Sequence, residues 1–549
     1  MDPFTPILFL SIGAVAVVIG SNRNYGFYGF TASIAIVSAT AATFLLGYRM
    51  PATVVLSPWQ TQSVFIYPLS LTVDKGSWFL ALLLVVTIMC LLLVSLSERL
   101  RISSQERAVC LIIVAFTLLV LFSDNLVTLV LALTVLDLCN GLFVFLFNSR
   151  GHLSRDIKYN LQVPEIVRYG INVLAVGLVL LVALGDYKSL QSYSQTLSSE
   201  HAAILIIVAI LRINIYPVNV GLVLSHISSR FVMTVISLVN VIIAVDILAS
   251  FGLHNDVASL RGGLTVLAVI SGLVGGYRWC TATKRNEHLH SLLLAQSSLA
   301  VLIFLWGEDW ALFGVFAHII TIAFSVIVTY MSDGLIGRSA NKFIRPVVTA
   351  LVFGCQPLTA GFLGVFVLCN GIMDNIAWSA FVIPSIVLIN GLTVLGGWRF
   401  LRVPLVKPIR QPPLVVVSIV LAFCVPLLAS LAVGITPSKF SSLLGLPIIR
   451  FWVSLASPSV LAALGSAVMS VSLSIVLWYY RSMVVTLSKD ISESWFGYVA
   501  DLRWLHLSIW RIYRWLVKAI RVFADILEGQ GGILWSLVIV FAILVVVGG

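Results

Sequence analysis

Apolar residues in this chain come in long unbroken blocks rather than in stripes, and each block is about the length of one membrane crossing. A membrane-spanning helix needs roughly 20 consecutive apolar residues. Blocks of that kind lie near 4–20, 27–47, 77–96, 107–123, 125–148, 166–184, 202–222, 229–252, 262–280, 290–306, 309–332, 345–368, 376–396, 413–434, 459–480 and 532–548. They predict an all-α polytopic membrane protein of about 14–16 spans. The opening stretch MDPFTPILFLSIGAVAVVIG has no basic leader region, so it reads as a first span rather than a cleaved signal.

Two blocks contain a helix breaker. Pro217 falls inside LRINIYPVNVGLVLSH and Pro357 inside LVFGCQPLTAGFLGVF. Proline removes one backbone hydrogen bond and clashes with the preceding turn. Inside a bilayer the freed carbonyls need protein or water as partners. The prolines lie five spans apart, in the seventh and twelfth helices, as in a duplicated transporter core. That core covers spans 4–8 and 9–13, and a repeat with an odd number of spans must invert. The expected organisation is therefore spans 1–3 over residues 1–100, five-helix repeats over 101–255 and 256–398, and C-terminal spans over 399–549.

The stretch 501–527, DLRWLHLSIWRIYRWLVKAIRVFADIL, has a different pattern. Arg503, Arg511, Arg514, Lys518, Arg521 and Asp525 share one helical face, opposite Leu505, Ile509, Ile512, Leu516, Ile520 and Phe523. An amphipathic lateral helix along the membrane interface is expected, with Trp504, Trp510 and Trp515 as anchors. A surface helix and a strut that binds a partner subunit fit the pattern equally.

Composition agrees with the span reading. Hydrophobic residues make up 60% and charged residues 10% of the 549, whereas soluble domains carry about 25% charge. The net charge of +11 does not signal nucleic acid, because the basic residues sit in short loops. Arg99, Arg101, Arg150, Arg155, Arg278, Lys284, Arg338, Lys342, Arg399 and Arg402 all follow odd-numbered spans. This places the odd-numbered loops in the cytoplasm, and a bacterial inner membrane is the expected location. The seven cysteines are isolated and mostly within apolar blocks. They read as small buried hydrophobes, with no metal site expected.

Several segments carry a resemblance. RINIYPVNVGLVLSHISSRFVMT, from Arg212 to Thr234, is similar to the seventh-helix signature K-x-A-x-x-P-F-H-x-W-L-P-x-A-H of the antiporter-like, proton-channel subunits of respiratory complex I. Pro217 and His226 match, and Arg212 stands at the channel lysine. Gln356–Phe366 resembles the P-P-x-A-G-F-x-x-K-F motif of the second broken helix. ALFGVFAHIITIAFSVIVTYMSDG resembles the eleventh-helix pattern H-x-x-x-H-A-x-x-K, and LTVDKGSW with Asp74 the opening of the third span. Asp137 stands at the family's fifth-helix glutamate, and the lateral helix resembles a short form of the arm on the distal complex I subunit. The family also includes Mrp-type sodium/proton antiporters, membrane-bound hydrogenases and inorganic-carbon uptake complexes.

The resemblance implies half-channels built from a carboxylate–lysine pair and a central row of lysines and histidines. Intramembrane charges persist where they pair, bind ions or relay protons. Here the row is depleted. Arg212 cannot release a proton as a lysine can, and Asn219 takes a histidine position. Leu238 and Ala244 replace the eighth-helix histidine and lysine, leaving Asn240 and Asp246 as nearby polar residues. His318 is kept, but Ile322, Val326 and Val365 fill the next positions, and His290 or Ser291 stands near the tenth-helix lysine. His318, alone on its helix, reads as a core histidine. Two readings of Asp137 and Arg212 stand together: a buried pair that couples motion to a partner subunit, or a pair retained because losing one charge strands the other.

The implied function is an antiporter-like membrane-arm subunit of a complex I-related assembly, its own proton channel degenerate and its role largely structural. No catalytic residue, cofactor or nucleic-acid partner is expected; the partners are other membrane subunits and the lipid bilayer. The alternatives are an independent cation/proton antiporter or inorganic-carbon transport subunit, and a scaffold of another membrane supercomplex.

Overall fold

The computed structural model describes residues 2–20, 25–57, 69–97, 102–148, 155–185, 199–216, 229–251, 258–282, 285–332, 344–400, 412–447, 457–480 and scattered positions between 508 and 522. Pro217, Asn219, His226, most of the lateral helix and the expected last span lie outside them. Eleven of the described helices are long and apolar enough to cross a membrane, and three shorter apolar helices accompany them. The protein is an integral, multi-pass, helical membrane protein.

The chain opens with α1 (Phe4–Ile19) and α2 (Tyr25–Leu46), which pack on each other. A hairpin not expected from the sequence follows, β1 (Ala52–Ser57) antiparallel to β2 (Leu69–Val73). The free edge of β2 is covered by the connection between the fourth and fifth helices. Thr72 N–H donates to Phe122 O, Asp124 N–H to Ser70 O, and Ser70 Oγ to Asp124 Oδ2 at 2.9 Å. Helix α3 (Lys75–Val94) starts at an Asp74 cap, where Ser77 and Asp74 satisfy each other's backbone N–H groups. Ser103 and Glu106 do the same for α4 (Ser104–Leu121).

Then come α5 (Leu126–Asn148), α6 (Arg155–Gly185), α7 (Ser199–Ile213), α8 (Arg230–Phe251), α9 (Ala258–Thr281), α10 (Arg285–Trp306) and α11 (Ala311–Ser332). The centre is formed by α8, α10 and α11, whose apolar windows are almost wholly inside the protein, with α3 mostly buried beside them. Helices that are apolar on every side and covered on every side are what a bundle core requires.

The twelfth expected span is two pieces, α12 (Ile344–Phe353) and α13 (Ala360–Ile372), separated by a non-helical stretch at 354–359. Cys355 and Leu358 have positive φ angles of 45° and 71°. The chain thus leaves right-handed helical backbone on both sides of Pro357. Carbonyls freed by the break find partners on three neighbouring helices. Gln296 Nε2 of α10 and Thr393 Oγ1 of α14 (Ile376–Phe400) both donate to Phe353 O, at 3.2 and 3.1 Å. Ser325 Oγ of α11 donates to Val352 O at 3.0 Å. On the far side, Ser430 Oγ of α15 (Pro413–Ile435) accepts from Ala360 N–H at 3.3 Å.

These side chains replace the water that a broken helix would otherwise need. Gln296→Leu combined with Thr393→Val should therefore lower stability more than the two single changes add up to. Either donor alone still satisfies Phe353 O, while an unpaired buried carbonyl costs about 1–3 kcal/mol. Thermal unfolding of the four proteins in detergent measures the coupling.

The chain then forms α16 (Pro437–Leu444) and α17 (Pro458–Tyr479). Helix α17 packs on α14 through small residues: Ser474 Oγ donates to Gly391 O at 2.7 Å, and Ser470 O faces the bare Gly391 Cα. Close approach of small-residue faces is the usual way membrane helices associate, since burying apolar surface gains little from lipid.

Candidate functional site

The residues of interest begin on α5, where Leu131, Val135, Leu138 and Leu142 form an exposed apolar stripe. Asp137 and Asn140 point the other way and are buried. Arg212 lies in the last turn of α7, where a cation complements the helix's negative end. The helix stops just beyond it. Asn214 takes a positive φ of 59°, and its side-chain amide donates to Arg212 O at 3.3 Å. Asparagine is among the few non-glycine residues that enter this conformation readily.

Asp137 and Arg212 meet face to face. Nη1 donates to Oδ1 at 2.9 Å and Nη2 to Oδ2 at 2.5 Å, a two-pronged pair. The arginine side chain is completely inaccessible and the aspartate nearly so. Asn172 of α6 adds a third bond, its Nδ2 donating to Asp137 Oδ1 at 3.3 Å. Three helices thus converge on one carboxylate. The satisfaction is incomplete: Arg212 Nε, Asn172 Oδ1 and both amide atoms of Asn140 are buried without a hydrogen-bond partner among the described residues.

The other described polar positions do not join this cluster, and Asn219 and His226 lie outside the described residues. Asn240 is buried on α8 with both amide atoms unpartnered among the described residues. Asp246, on the same helix, is partly exposed and within electrostatic reach of Asp74. His290 Nδ1 lies 3.4 Å from Ser237 Oγ, linking α10 to α8. His318 is fully buried on α11, and its Nε2 donates to Gln296 O at 3.0 Å. A carbonyl only accepts, so this nitrogen carries a proton, and Nδ1 has no hydrogen-bond partner among the described residues.

Five further positions singled out in the sequence are apolar and packed. Leu238, Ala244, Ile322, Val326 and Val365 are all at most 2% exposed. No group of three or more His, Cys, Asp or Glu side chains that could hold a metal comes together among the described residues.

Sequence reasoning overlooked Asn172, Gln296, Thr393 and Ser325. Asn172, Ser325 and Thr393 are single polar residues between apolar neighbours and Gln296 opens the polar triplet Gln296–Ser298, and polarity inside an apolar run is the one signal that could have flagged them.

Comparison with known proteins gives the fold. No family model matches the chain, and no curated protein does. Among solved structures, the chain is similar to one from the Mrp complex of Dietzia sp. DQ12-45-1b, with a TM-score of 0.76 and 16% identity. That match covers 99% of this chain and 63% of the other, so this chain spans less than two thirds of its length. It is also similar to a chain of respiratory complex I from Thermus thermophilus, with a TM-score of 0.65 and 14% identity, covering 86% of this chain and all of that one. The fold is thus shared with membrane chains of Mrp and complex I.

Proposed function

We propose that this chain is an antiporter-like membrane-arm subunit of a complex I-related energy-converting assembly, with a degenerate proton channel of its own. The observation that carries the reading is the sealed Asp137–Arg212 pair. A guanidinium stays protonated under essentially all conditions in a protein, so it holds the carboxylate without handing on a proton. Beyond it the row is interrupted by buried Val326 and Val365. What remains for the subunit is architecture. Two inverted five-helix repeats over 101–255 and 256–398, with helix breaks at Pro217 and Pro357, brace the bundle, and the lateral helix and spans face other subunits and lipid. The odd-numbered loops lie in the cytoplasm of a bacterial cell, and the partner subunits supply redox chemistry and pumping.

Arg212→Lys should not create robust transport, because buried Val326 and Val365 still interrupt the row beyond it, and a protonatable lysine needs a further acceptor, besides Asp137, within about 3 Å, directly or through an ordered water. Reconstituted proton flux, normalised to assembled protein, is the measurement. Strong flux gained by that single change would overturn the degenerate-channel reading. Identifying the subunits that co-purify with the native protein tests the assembly itself: subunits of a quinone- or NADH-linked complex support it, and a lone active transporter refutes it.

A second reading, an independent cation/proton antiporter subunit, draws on the wider structural match, which runs over 99% of this chain for the Mrp complex. Sodium-dependent flux from the purified chain alone would favour it.

A further inference from the structure

The stretch 501–527 carries a feature that the assembly role does not need. Between Asp501 and Asp525 there is no acidic residue, yet there are five basic ones: Arg503, Arg511, Arg514, Lys518 and Arg521. They recur at helical spacing on one face, and the described positions between 508 and 522 are helical. Three of the described apolar residues of this helix are largely exposed. Ile512 is 60%, Trp515 70% and Val522 51% exposed.

We infer that this helix docks on an anionic lipid leaflet, its apolar face among the acyl chains and its cations among the lipid phosphates. Three observations favour lipid over a protein groove. Between Asp501 and Asp525 the formal charge is of one sign, which suits a uniformly negative surface. On a helical period, Trp504 and Trp515 fall on one border between the two faces, and Trp510 and Tyr513 on the other. Amphipathic rings at such borders settle at headgroup depth. The apolar residues are large enough to enter the acyl boundary, as in other interfacial helices. The inference holds whether or not the parent assembly is related to complex I, so the two can fail separately.

The test uses the full chain in vesicles. An environment-sensitive fluorophore is attached through Ile512→Cys, with Cys139→Ser and Cys424→Ser, since those two native cysteines are not buried. Vesicles of phosphatidylcholine alone are compared with vesicles containing one third phosphatidylglycerol, both with bromine on the acyl chains as quencher. Strong quenching is expected in the anionic vesicles and several-fold less in the neutral ones, and raising the salt should release it.

Replacing Arg511, Arg514, Lys518 and Arg521 by Gln should abolish the lipid dependence, each lost cation weakening docking by about fivefold. Gel filtration of each variant controls for folding. Equal quenching in both lipids, or none in either, would overturn the inference; so would quenching by anionic lipid that survives in the four-Gln variant.

Discussion

Asp137→Ala is expected to lower the folded yield and thermal stability of the protein sharply, by about 3–5 kcal/mol, because it strands a buried arginine. Arg212 is fully buried, and Asp137 accepts from both of its terminal nitrogens. The arginine side chain has no exposed surface through which water could take the carboxylate's place. Asn172 would lose its one side-chain hydrogen bond among the described residues in the same step. Fluorescence-detected gel filtration after graded heating gives the shift, and an Asp137→Ala protein as stable as the parent would mean that the pair contributes nothing to the fold.

Gly434→Ala should be nearly as damaging, for a steric reason. Helix α15 crosses the break so closely that a Cβ at Gly434 would lie 2.1 Å from Leu358 O, 2.4 Å from its carbonyl carbon and 2.8 Å from Thr359 N. All three are backbone atoms of a segment already held in unusual conformations, so none can swing aside as a flexible side chain would. Either α15 retreats, pulling Ser430 Oγ from Ala360 N–H, or the break is remodelled. Overpacking of this kind costs about 1–3 kcal/mol. Gly465→Ala on α17 is the control, since nothing lies within 4 Å of the added carbon. Comparable loss in both variants would show that the close approach is not what matters.

Much of this architecture was legible from apolar run length, because a bilayer leaves the backbone few options. The span expected at 77–96 is Lys75–Val94, that at 309–332 is Ala311–Ser332, and the run at 345–368 divides beside Pro357 into two pieces. Polar extensions were harder to see. The run at 166–184 belongs to a helix that begins at Arg155, because RDIKYNLQVPE lacks the apolar density that marks a span. The hairpin escaped notice because ATVVLS and LSLTV are short, and the bonds that fix β2 come from residues around 122–124, fifty positions away.

The pairing of Asp137 with Arg212 could be anticipated, since opposite charges in hydrocarbon are driven together. Asn172 could not, because its contribution depends on how α6 is rotated against α5. The same holds for Gln296, Ser325 and Thr393. Sequence shows that the break needs donors, but not which helices stand beside it.

Ion flux per assembled complex in the double variant Asp137→Leu, Arg212→Met tests the central claim most directly. Replacing both members of a buried pair by apolar side chains of similar size is often neutral or stabilising, unlike removing one. If the pair is structural, the double variant should recover the stability that Asp137→Ala loses and leave flux through the native assembly unchanged. A double variant that folds and assembles normally but no longer moves protons would make Asp137 a working part of the path and contradict the degenerate-channel account.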